Sequence, residues 1–192
     1  MTTINLKSMK KIVLMVLLNF AAAGVYAQTT KIPDFPDTGE DINTYPQVEW
    51  LKGSPVTAFD PGKTYIIEMW ATWCVPCIAA MPHISELNAK FKDKGVVFIA
   101  QNVMEYNREK VIDFVRTKAE LAQLNVAFSG LQNSEFEQRW IKAAGITAIP
   151  QTIIIQGNKL MWQTTPYALN EKVLQLLVDH KFSIEAATAL SK

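Results

Sequence analysis

The chain has 192 residues, of which 49% are apolar and 19% charged, enough for one globular domain with a sizeable core. A formal net charge of +1 argues against duplex nucleic acid as a partner, because phosphate recognition draws on a basic surface. Two cysteines and two histidines exclude a disulfide-rich scaffold and a four-thiolate zinc site, so any chemistry rests on few residues.

In chain order, residues 1–27 carry Lys7, Lys10 and Lys11 and no acid. An apolar run from Ile12 to Ala23 follows, broken by Asn19, and Val25 and Ala27 occupy the −3 and −1 places of a small-residue cleavage site before Gln28. Basic, apolar and small-residue regions in that order predict a secretory signal peptide. The apolar run is shorter than the ~20 residues of a membrane span. No Cys follows the cleavage point, which argues against a lipid anchor, and Met9 offers an alternative start. Without residues 1–27, 16 basic residues face 18 acids. The expected location is the periplasm, where disulfides persist.

Residues 28–44, rich in Pro, Asp and Thr, are expected to form an extended lead-in with little structure of its own. A domain over 45–182 follows, and 183–192 reads as a weak helical tail. Val48 to Leu51 suits a short strand, and Thr64 to Trp70 is apolar and β-rich. Met81, Ile84, Leu87 and Phe91 recur at helical steps within 75–92. Val96 to Ala100 reads as a strand buried on both faces. Asn107 can cap a helix to about Lys118, with Val111, Phe114 and Val115 inward. Val126 to Phe128 suits a short strand. Ser134 and Glu137 have capping-box spacing ahead of a helix carrying Phe136, Trp140 and Ala144 and ending at Gly145. Thr152 to Ile155 and Leu160 to Trp162 flank Gly157-Asn158, a tight-hairpin signal. Asn170 opens a last helix, with Val173, Leu176, Leu177 and His180 on its inner stripe. Alternating strands and helices with a closing hairpin predict an α/β fold: a central mixed sheet with helices on both faces.

Cys74 and Cys77 lie where a strand hands over to a helix. Residues three apart on a helical turn are neighbours, so the sulfurs can close a small disulfide. Cys74 falls at the helix N-terminus, where the macrodipole and free N–H groups favour a thiolate. Cys77 lies one turn further in and is expected to be better shielded. An exposed attacker and a sheltered resolver are what thiol–disulfide exchange needs. Two inert thiols or a structural disulfide is the alternative. Glu68, in an apolar strand, is expected to be buried. Burial without a cation raises a carboxyl pKa toward the range useful for acid–base work. His83 reads as a solvated surface residue, His180, Trp70, Trp140 and Trp162 as packing residues, and Gln151 has no assigned role.

Trp70-Ala71-Thr72-Trp73-Cys74-Val75-Pro76-Cys77 resembles the active-site segment of the thioredoxin superfamily. Pro82 matches the proline that kinks that family's first helix, and Gly145 through Pro150 matches the segment ending in its cis-proline. The chain is most similar to the TlpA-like thiol–disulfide oxidoreductases over about residues 45–180, including Trp140 to Gly145 and an inserted strand–helix unit around 103–128. The resemblance implies a thioredoxin-like fold and a redox couple of Cys74 and Cys77. It implies that Glu68 accepts the proton of Cys77, although Ala100 stands where thioredoxins place a lysine beside that acid. It also implies a cis Pro150 facing Cys74. That arrangement leaves the backbone of Ala148 and Ile149 to pair with an extended substrate, with Thr72 and Trp73 as contact surface.

These readings converge on an exported enzyme that acts on protein disulfides. Pro76 resembles the reducing members of the superfamily, so the expected direction is reduction. Electrons would then come from a membrane-bound thiol donor. No cofactor, metal or nucleic acid is called for, and the chain is expected to be a monomer. The rival readings are weaker. Copper-delivery relatives favour a longer Cys spacing and a companion His. Peroxiredoxins need Thr or Ser and Pro where Ala71 and Ile67 stand.

Overall fold

The computed structural model describes residues 35–191. The expected signal peptide (1–27) and the first part of the lead-in (28–34) lie outside the described residues. A six-stranded sheet runs in the order β1-β4-β3-β2-β5-β6. Its strands are β1 Glu49–Lys52, β2 Thr64–Trp70, β3 Val96–Asn102, β4 Asn125–Phe128, β5 Gln151–Gln156 and β6 Lys159–Thr164. The three central strands β2, β3 and β4 are parallel, and β1, β5 and β6 pair antiparallel to their neighbours, so the sheet is mixed.

Alternation along β2 divides the core. Ile66 and Trp70 face one side, with helices α1 (Val75–Phe91), α2 (Arg108–Thr117), α3 (Glu171–Val178) and α4 (Ile184–Leu190). Tyr65, Ile67 and Met69 face the other, under Tyr45, Phe59, Phe136, Trp140 and Ile141. All seven β2 residues are buried, as expected of a central strand covered on both faces.

Local signals set the element ends. Asn107 and Asn170 cap α2 and α3 by accepting from the amides of Lys110 and Val173, each cap being worth about 1 kcal/mol. Gly157 and Asn158 have φ of 59° and 58°, the left-handed pair that a two-residue hairpin turn requires. Gly53 has φ of 81°, and a Cβ there would lie 2.9 Å from Asn125 Cα, so glycine permits the close approach of β1 to β4.

Several expectations are corrected. The segment after Ser134 winds as a π-helix over Glu137–Lys142. Ser134 Oγ accepts from the Glu137 amide, but the Glu137 carboxylate reaches back to the Asn133 amide rather than to the cap residue itself. Residues 39–42 do not hang free. Gly39 donates to Leu160 on β6 and Ile42 to Asn158 in the β5–β6 turn, and Ile42 is buried. The tail is helical as expected, and it is more than a loose appendage: α4 is capped by Ser183 and packs Ala187 into the core. On α3 the inward residues are Val173, Leu174 and Leu177, not Leu176. His180 is exposed with φ of 54°, past the helix end. Trp162 is half-buried and packs on Phe182.

Candidate active site

The β2 strand ends at Trp70, and a tight turn, closed by the Cys74 amide donating to the Ala71 carbonyl (3.1 Å), leads into α1. Cys74 is the N-cap of that helix, and its Sγ accepts from the Cys77 amide at 3.3 Å. The two cysteines form a disulfide, with Cα atoms 5.3 Å apart. The expected contrast in exposure does not hold in this oxidised state: both residues are only 3% exposed. The difference lies in direction. Cys74 Sγ lies 3.7 Å from the Ile149 carbonyl, whereas Cys77 Sγ faces inward, 4.0 Å from the Met69 carbonyl.

Ile149–Pro150 is a cis peptide bond, and its position against Cys74 follows from the pairing of β5 with β2. Behind Cys77 lies a cavity of about 20 Å³, room for a single water, lined by Glu68, Trp70, Cys77, Met81, Ala100 and Pro150 among others. Glu68 is 7% exposed, and burial pushes its carboxyl up to about 8, against a weaker opposing pull from the Thr152 hydroxyl. Ala100 is the register partner of Glu68 on β3, so the position across the ladder holds a methyl group and no cation.

The model of the Redoxin family matches residues 27–165. The chain belongs to the Redoxin family. Among curated proteins, this redoxin is similar to thiol-disulfide oxidoreductases named ResA. It is 35% identical over 92 residues to thiol-disulfide oxidoreductase ResA of Oceanobacillus iheyensis, which covers 44% of this chain and 48% of that one. It is 27% identical over 135 residues to protein FixW of Rhizobium leguminosarum, which covers 68% and 61%. The chain therefore spans about half to three-fifths of the length of these two curated relatives. Among solved structures, a Chlorobium tepidum protein assigned as thiol:disulfide interchange protein DsbE superposes with a TM-score of 0.52 at 19% identity, over 82% of this redoxin and 99% of that chain. The thioredoxin domain of a Bacteroides vulgatus thiol-disulfide oxidoreductase gives 0.51 at 18% identity, over 67% and 89%. These two likenesses establish the thioredoxin-like fold.

The fold gathers most of the residues singled out in this redoxin's sequence. Thr72 and Trp73 are the central residues of the turn before Cys74, and Trp73 is 49% exposed. Ala148 and Ile149 precede Pro150 at the start of β5. His83 is not a solvated surface residue. It is half-buried, with Nε2 2.8 Å from the Leu169 carbonyl. Trp70 and Trp140 lie in the core as expected. Among the described residues, no group of three or more His, Cys, Asp or Glu side chains is placed to hold a metal ion.

The sequence reading missed four contributors. Thr152 is the β5 partner of Glu68. Tyr167 donates its hydroxyl to the Pro76 carbonyl, between the two cysteines. Met104 and Glu105 hold Thr72 and Trp73 from the β3–α2 loop. Only Thr152 left a usable trace: antiparallel pairing of a strand after Pro150 with β2 brings a polar residue opposite Glu68.

Proposed function

We propose that this redoxin is an enzyme that reduces protein disulfides by dithiol–disulfide exchange through Cys74 and Cys77. The observation that carries the reading is the disulfide at the β2–α1 junction, with Cys74 toward the Ile149 carbonyl and Cys77 toward the cavity that holds Glu68. The Cys74 thiolate, favoured by the α1 N-terminus and the Cys77 amide, attacks a substrate disulfide. A Cys74–substrate bond forms and one substrate thiolate leaves. The ionised fraction of Glu68, whose carboxyl is pushed up to about 8, accepts the Cys77 proton. The Cys77 thiolate then attacks Cys74 Sγ and expels the second substrate thiolate. Two electrons pass to the substrate, and the Cys74–Cys77 disulfide remains.

The surroundings suit a polypeptide substrate. Five of the six large apolar residues exposed among the described residues belong to this region of chain: Trp73 and Val75 in the motif, Tyr106 and Leu131 beside Glu105, and Tyr167 against Pro76. An apolar rim of this kind favours protein contact. Ala148 and Ile149 offer backbone to an extended segment, in the manner of an added strand. Thr72 and Trp73 complete the contact.

The basic–apolar–small order of residues 1–27 supports export, with processing before Gln28 and action in the periplasm on extracytoplasmic proteins. The reading further includes a domain that exceeds the expected 45–182 at both ends, taking in the paired residues 39–42 and α4, acting as a monomer, and a membrane-bound thiol donor that regenerates the dithiol. The test uses the pre-reduced chain. It is expected to reduce the interchain disulfides of insulin at a rate lost in Cys74→Ser, and secreted material is expected to begin at Gln28. A rate equal to that of Cys74→Ser sinks the catalytic reading, and retention of residues 1–27 in the cytosol sinks the address.

A further inference from the structure

Thr72 and Trp73, the two central residues of the turn that delivers Cys74, are held from outside by two consecutive residues of the β3–α2 loop. The Trp73 indole donates to the Met104 carbonyl at 2.9 Å. Glu105 takes both donors of Thr72, the amide at Oε1 and the hydroxyl at Oε2, the latter at 3.0 Å. The Asn102 side-chain amide also donates to Oε1 at 3.0 Å. Met104 has φ of 55°, a conformation uncommon for a residue with a side chain and found where surrounding structure over-determines it. Here it lies between the β3 end, tied by the Val103 amide to the Trp70 carbonyl, and Glu105, which bridges to Leu131.

Glu105 is 2% exposed, and no lysine or arginine pairs with it among the described ion pairs. Its Oε1 faces two groups that can only donate, the Thr72 amide and the Asn102 amide nitrogen. A buried acid so placed does two things. It fixes the turn, and it brings a carboxylate to Thr72, two residues before Cys74, on which reduction creates a thiolate.

We propose that Glu105 is a positioning residue of the redox centre: it clamps the Thr72–Trp73 turn and, through its charge, biases the Cys74/Cys77 couple toward the disulfide. The proposal rests on the oxidoreductase reading and extends it, since a couple biased toward its disulfide is a stronger reductant. Like charges disfavour one another at short range, so the reduced state carries a cost that the oxidised state does not.

Glu105→Gln separates the two roles. Its amide oxygen still accepts from the Thr72 and Asn102 N–H groups, and its nitrogen can donate to the Thr72 hydroxyl, so the clamp persists without the charge. Glu105→Ala removes both. The readouts are the equilibrium of the disulfide with two glutathione thiols to give dithiol and glutathione disulfide, and hydrogen exchange at the Thr72 amide. Glu105→Gln is expected to shift the equilibrium about tenfold toward the dithiol, about 30 mV for a two-electron couple, while Thr72 stays protected. Glu105→Ala is expected to make the Thr72 amide exchange at least about tenfold faster. An unchanged or opposite equilibrium in Glu105→Gln overturns the charge role. Retained protection in Glu105→Ala, or lost protection in Glu105→Gln, overturns the clamp. Glutathione reports the couple directly. A chain that equilibrates with it yet leaves insulin intact therefore loses the proposed function and keeps the Glu105 assignment.

Discussion

Glu68 and Thr152 face each other across the β2–β5 ladder, and both carboxyl oxygens of Glu68 lie 2.8 Å from the one Thr152 hydroxyl. That hydroxyl can donate to only one oxygen at a time, so the charged carboxylate is poorly compensated for its lost hydration. Burial therefore dominates and lifts the carboxyl to about 8. Thr152→Val removes the hydrogen bond that favours the charged form. The Glu68 pKa is expected to rise further, and the pH profile of mixed-disulfide release to move to the alkaline side. Rapid-quench measurement of release against pH checks this, and a profile shifted to the acid side contradicts it.

The same carboxyl gives stability a pH signature. Glu68 keeps its proton in the fold up to about pH 8 and gives it up near pH 4.5 once unfolded. The folded state thus binds more protons across that window. Its contribution to stability is whole below the unfolded value and is lost as pH rises to about 8, by up to about 1.4 kcal/mol per pH unit. Glu68→Gln is expected to lack this slope and to exceed the parent in stability at pH 8. Urea midpoints of the oxidised forms from pH 5 to 9 decide it, and parallel curves would show that Glu68 is charged throughout.

On the catalytic side, Glu68→Gln is expected to slow release of the mixed disulfide by about 100-fold, the scale of a lost general base, while the first attack by Cys74 stays nearly unchanged. Stopped-flow separation of the two steps is the measurement. Slowing confined to the first attack would instead make Glu68 a modulator of the Cys74 thiolate.

Trp73 is held at one edge by Met104 and leaves half its surface to solvent. Trp73→Ala is expected to slow exchange with a protein disulfide by about tenfold, as removal of an aromatic contact residue does, and to leave exchange with glutathione disulfide little changed. Equal losses toward both substrates would assign Trp73 to shaping the turn rather than to contact.

Much of this was legible in the residues. The β2 strand reads off Thr64 to Trp70 to the residue, because a continuous apolar run ending before Cys74 has few alternatives. Asn107 and Asn170 marked helix starts through the side-chain acceptor that a first turn demands. What escaped depends on contacts between distant segments. Glu105 looks like any surface acid until β3 and its loop are laid beside the turn at Thr72. His180 has the right spacing for the inner stripe of α3, but the helix ends first. The exposure contrast between the cysteines does not appear because Cys74, at the helix start, is covered by the Ile149–Pro150 segment, which lies far along the chain. Residues 39–42 read as linker because their pairing, and the burial of Ile42, depend on the β5–β6 hairpin, far along the chain.

The central claim is that Cys74 makes the bond to substrate and Cys77 breaks it. Cys77→Ser and Cys74→Ser, each pre-reduced and mixed with a peptide disulfide, can be compared by intact-mass spectrometry and peptide mapping. A stable adduct on Cys74 is expected in Cys77→Ser, and almost none in Cys74→Ser. A dominant adduct on Cys77 in Cys74→Ser, with Cys77→Ser left unmodified, would contradict it.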